Sequence, residues 1–222
     1  MPAHHNALRP EILLVLGARG AGKSALFGSA IVSPGKLTKG IWMEGHGGSR
    51  NSPDAAVVNL FMGKNPDEML ELFWLGRLIT VLAQTDIPAG KTLQDKLRTQ
   101  FQPLMDSPKE PSKWLSLVKD HIEDIAVLID NFDQGLQKNG DFVTVAYDKL
   151  DDAGLGGLTA SKRLVKPLLA MWLRYAGRYS HLRGKIFLRV DIYEAADFTF
   201  TDRSKLAGKS STLRWTTTHL YA

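Results

Sequence analysis

The sequence predicts an α/β fold, a three-layer α/β/α arrangement around a mainly parallel central sheet. Short apolar segments, ILLVL (12–16), IAVLI (125–129) and KIFLRV (185–190), run continuously instead of alternating, as strands covered by helices on both faces must. Helical patterns lie between them, and alternation of strand with helix folds into a parallel sheet. At 222 residues the chain fits one large domain, 1–222, and is short for two.

Taken in order, ILLVL is the first strand, followed by a helix from Ser24 to about Val32. AAVVNLF (55–61) reads as a further strand. The segment 66–84 opens with a proline and acids, as a helix N-terminus does, and is apolar nearly all round. Helical patterns follow at 92–101 and 111–121, then the strand IAVLI, then a helix from about Ser161 to Tyr179 interrupted by Pro167. KIFLRV and a weaker STLRW (211–215) close the set. TTTHLYA reads as a helix cap with barely one turn behind it, so a longer protein cut at Ala222 is expected.

Composition narrows the function classes. The formal charge is +5, with Lys and Arg gathered at 161–166, 174–185 and 202–214. None of these clusters is a dense run of like charge, so a solvated surface serving a polyanionic nucleotide accounts for them, and a nucleic-acid partner is weakly supported. There is no cysteine, no apolar run long enough for a bilayer and no signal-peptide core, so a cytoplasmic protein with no membrane partner is expected. The six histidines have no metal-ligand spacing to one another.

The chemistry is concentrated between strand and helix. Gly17-Ala18-Arg19-Gly20-Ala21-Gly22-Lys23-Ser24 matches G-x-x-x-x-G-K-[ST] at every fixed position. Its glycines let main-chain N–H groups converge on one oxyanion cluster, and the helix that follows adds its positive end. Lys23 reaches β- and γ-phosphates, and Ser24 takes one Mg²⁺ position; Ala25 completes the binding stretch. Arg19 faces solvent. The expected fold is thus that of a P-loop NTPase, with ATP and Mg²⁺ as cofactors. The metal needs an acid at the end of a neighbouring strand, and IAVLIDNFDQ supplies Asp130 as a Walker B residue. Asn131 cannot take a proton, so Asp133 is the expected base.

LIDNFDQ looks like the hhhhD-x-x-D signature of bacterial STAND and KAP-type P-loop ATPases, which are AAA-related. LRGKIFLRVDIYEAADFTFTDRSKL followed by LRW is similar to the strand-plus-arginine segment after Walker B in those proteins. The resemblance implies an ATPase core acting as a nucleotide switch or motor in a larger multidomain or self-associating assembly. It also implies that Arg189 is a sensor near the γ-phosphate. Asn131 departs from relatives that carry an acid there, which points to slow hydrolysis. A small-molecule or nucleotide kinase and a binding-only scaffold remain as alternatives.

Overall fold

The structure, a computed structural model, describes residues 2–32, 40–45, 66–101, 111–150, 157–195 and 203–214. The predicted strand 55–61 lies outside them. Within them, β1 (Leu14–Gly17), β2 (Ile41–Glu44), β3 (Val143–Tyr147), β4 (Leu182–Arg189) and β5 (Ser210–Leu213) form one all-parallel sheet in the order β2-β3-β4-β1-β5. The α/β class and the parallel sheet are as the sequence predicts.

Strand alternation separates two apolar layers. Leu14, Leu16, Val145, Tyr147, Ile186 and Leu188 face one cluster, packed under α3 (Pro66–Leu82), α6 (Ile122–Asn139) and α7 (Gly157–Arg178). Val15, Trp42, Ala146 and Phe187 face the other, against Leu26 and Ala30 of α2 (Lys23–Val32) and Ala7 of α1 (Pro2–Ala7). Helices therefore cover both faces. The thicker layer is aromatic: Trp74 and Trp172 are fully buried, each edge-to-face with Tyr147. The Trp74 indole donates to the Leu164 carbonyl at 2.9 Å, tying α3 to α7. Truncating such a buried indole to alanine costs about 3–5 kcal/mol. The remaining helices are α4 (Pro88–Gln100), α5 (Pro111–Asp120), α8 (Val190–Ala195) and α9 (Arg203–Ala207).

Three expectations are corrected. Residues 125–129 are not a strand but the middle of α6. Ile125, Leu128, Ile129, Phe132 and Leu136 recur at helical spacing and are buried, while Val127 is 57% exposed, which a strand covered on both faces would not allow. Acids Glu123 and Asp124 open the helix, and it closes at Gly140, whose N–H returns to the Leu136 and Gln137 carbonyls. Pro167 does not interrupt α7, which continues through it to Arg178. Third, β2 and β3 come from segments not anticipated as strands, IWME and VTVAY.

Lys185 is the unusual buried polar group of the core. Its ammonium donates to the carbonyls of Ala7, Arg9 and Ile12, each at 2.8 Å, and so holds the chain between α1 and β1 against the sheet. Burial pushes its pKa down to about 7. Among the described residues, no helix is long and apolar enough to cross a membrane.

Candidate functional site

The glycine-rich loop leaves the carboxyl end of β1 and enters α2 at Lys23. Gly20 and Gly22 have φ of 80° and 86°, the left-handed region that other residues adopt at a cost, so the two glycines make the tight turn possible. The Ala21 N–H donates to Ala18 O at 3.1 Å, and Leu26 N–H to Gly22 O at 2.9 Å starts the helix. Ala18, Arg19, Gly20, Ser24 and Ala25 are exposed, whereas Gly17 and Ala21 are buried. Lys23 is 9% exposed, and its ammonium donates to Gly17 O and Ala18 O, both at 2.9 Å. The cation thus lies folded over the loop, held by main-chain dipoles.

The carboxyl edge of the sheet, where the loop lies, carries a different acid from the one expected. Asp148 immediately follows β3 at the carboxyl edge and is 5% exposed, with an Oδ2 that has no hydrogen-bond partner. Ala146, two residues earlier, packs in the α2-side cluster, so alternation puts Asp148 on the same face as α2. A buried carboxylate oxygen without a protein donor is costly, and a water, ion or ligand supplies the partner it lacks.

Asp130 and Asp133 are not at the loop. Asp130 accepts a hydrogen bond from the Tyr179 hydroxyl at 2.8 Å and is paired with Arg178. Burial, then the Asp130 hydrogen bond, raises the Tyr179 pKa. Asp133 is buried, and its Oδ1 accepts the N–H groups of His181 at 3.0 Å and Leu182 at 2.7 Å. Leu182 begins β4, and Arg189 at its other end is in register with Gly17. Seven strand steps of about 3.3 Å put Asp133 roughly 20 Å from the loop. Asp130 therefore cannot share a metal with Ser24, and Asp133 cannot poise water at a bound phosphate. Both expectations fail because α6 carries these acids to the amino edge of the sheet.

Arg189 does end β4 beside the loop strand. Its Nε and Nη2 donate to Asp191 Oδ1 at 3.0 Å and Oδ2 at 2.5 Å. That hydrogen-bonded pairing holds the Asp191 carboxyl below its usual range.

Against the loop lies a cleft of about 660 Å³ whose walls include Ala18, Arg19, Tyr193, Glu194 and Arg214. Its volume suits a small-molecule ligand. Among the described residues no group of three or more His, Asp or Glu could hold a metal ion by itself. A site completed by phosphate oxygens does not need one, since Mg²⁺ is usually held by one or two carboxylates plus substrate.

Comparison with known proteins returned no matching family, no matching curated protein and no matching solved structure. LIDNFDQ, one support of the likeness to STAND and KAP-type ATPases, lies on α6 and supplies no strand-end acid.

Asp148 was missed by sequence reasoning although a signal existed. VTVAY is β-branched at three of five positions, follows a helix stop at Gly140 and ends in an acid.

Proposed function

We propose that this chain binds a magnesium nucleoside triphosphate, ATP, and hydrolyses it slowly. It would serve as the nucleotide-dependent switch or motor core of a larger assembly. The observation that carries this is a juxtaposition. The Gly17–Ser24 loop enters α2 at the carboxyl edge of the sheet, and a buried, unpartnered Asp148 faces the same side of the sheet.

Loop N–H groups and the first turn of α2 hold the phosphates. Lys23 exchanges its two carbonyl acceptors for phosphate oxygens, a stronger charge-assisted interaction. Ser24 and Asp148 are the residues that would hold Mg²⁺, and the unpartnered Oδ2 fits that task. The cation, when bound, would neutralise charge building up on the phosphates. Arg189 would reach over from the neighbouring strand end. The chain order also supports an AAA-related core of the STAND or KAP kind: a loop strand, helices, a strand ending in an acid, then a strand ending in arginine.

Calorimetry with Mg-ATP and Mg-GTP, paired with free-phosphate release, tests the proposal. Lys23→Ala is expected to weaken nucleotide binding at least 100-fold without unfolding the chain. A wild-type protein that takes up neither nucleotide would refute it. Phosphate transferred to an added metabolite instead of released would place the chain among kinases.

A further inference from the structure

With Asp133 removed from the loop, the hydrolysis proposed above lacks a base, and the carboxyl edge holds a second acid with no task. We infer that Glu44 is the general base, an inference that rests on the nucleotide reading of the loop. β2 pairs with β3 in parallel, with Glu44 opposite Ala146. Trp42, two residues before Glu44, is 5% exposed and packs in the cluster with Leu26 and Ala30 of α2. Ala146 packs in that same cluster, two residues before Asp148. The period of two therefore places Glu44 and Asp148 on one face of adjacent strands, the face that α2 covers. A strand spacing of about 4.8 Å and a rise of about 3.3 Å per residue separate their Cα atoms by about 8 Å. The helix that opens with Lys23 and Ser24, α2, packs directly on β2.

The two acids differ in a way that suits two roles. Asp148 is deeply buried, and its Oδ2 keeps acceptor capacity for a cation. Glu44 is half-buried, so water can reach it. Its position is also fixed: the next N–H, of Gly45, donates to Ala146 O at 2.7 Å. A Cβ at Gly45 would lie 2.3 Å from the Tyr147 ring, so β2 is pressed against β3 immediately after Glu44.

In the step assigned to it, a Glu44 carboxylate oxygen takes a proton from a water molecule. The water oxygen forms a bond to the γ-phosphorus while the bond from that phosphorus to the β,γ-bridging oxygen breaks. The electron pair stays on the diphosphate, inorganic phosphate leaves, and Glu44 returns its proton to solvent. General-base assistance of this kind contributes about 10²–10⁴ in rate.

The test uses the full 222-residue chain and measures the nucleotide Kd by calorimetry beside the rate of phosphate release. Glu44→Gln is expected to lower kcat at least 100-fold while the Mg-ATP Kd stays within about threefold. Glu44→Asp should fall between the two. Wild-type turnover in Glu44→Gln, with loss of turnover in Asp151→Asn or Asp152→Asn, would overturn the assignment and move the base to the segment after β3. If Glu44→Gln is unfolded by circular dichroism, a folded Glu44→Ala that keeps the wild-type kcat overturns it. Nucleotide binding without phosphate release in the wild type defeats the Glu44 role alone. Absence of binding defeats both proposals.

Discussion

The two edges of the sheet each gather acids, and the acids differ in what satisfies them. At the amino edge, Asp133 is 8% exposed and receives two main-chain N–H groups at the start of β4, and Asp130 is held by Tyr179 and Arg178. At the carboxyl edge, Asp148 is about as buried and has an oxygen with no donor. Burial alone does not separate structure from function here; the partner does. A carboxylate saturated by main-chain donors already performs its task by fixing where β4 begins. One kept in the interior with unused acceptor capacity is a cost to folding that a water, an ion or a ligand offsets.

The sharpest way to break this comparison is to neutralise the acid at each edge. Asp148→Asn is expected to reduce Mg-dependent phosphate release by about 10²–10³, the scale seen when one preorganised charge-stabilising group is lost. Its thermal midpoint should hold or rise, because an unpaired buried charge has been removed. Scanning calorimetry with and without Mg-ATP checks both. A fall in stability without a fall in turnover would make Asp148 a structural residue like Asp133.

Lys185 sharpens the comparison from the side of a satisfied cation. Its native pKa of about 7 lies below the ordinary lysine value of about 10.4. Between those pH values the unfolded chain binds the extra proton, so stability should rise with pH, with a slope approaching about 1.4 kcal/mol per pH unit. Denaturant titrations from pH 6.5 to 9.5 should show that rise, and Lys185→Met should flatten it. A slope unchanged in the variant would show that another group is responsible.

Asp133→Ala gives the smallest effect. It strands the N–H groups of His181 and Leu182, and should cost about 2–3 kcal/mol in chemical denaturation. Turnover per folded molecule should remain that of the wild type.

Much of the fold was legible because its signals are local. The strand before the loop, the turn and the helix after it are written in one unbroken stretch, residues 14–32, and Gly20 and Gly22 adopt the left-handed φ that their identity permits. KIFLRV was legible as a strand, and it ends at Arg189 as expected. IAVLI was misread because a short apolar run has no period of its own. The stripe that makes it helical extends to Phe132 and Leu136, outside the window that looks like a strand. That single misreading carried Asp130 and Asp133 with it.

What the sequence determined by itself is therefore the Gly17–Ser24 turn between β1 and α2: its glycines act over a few bonds, and local geometry suffices to express them. Which acid lies at the loop's edge of the sheet was decided by the tertiary structure alone. Asp130, Asp133 and Asp148 all follow apolar runs, and strand order and helix direction send two of them to the amino edge and one to the carboxyl edge. The physical reason is range. A metal or a water molecule is positioned by groups within a few ångströms in space, and residues more than a hundred positions apart reach that distance only when the sheet has assembled.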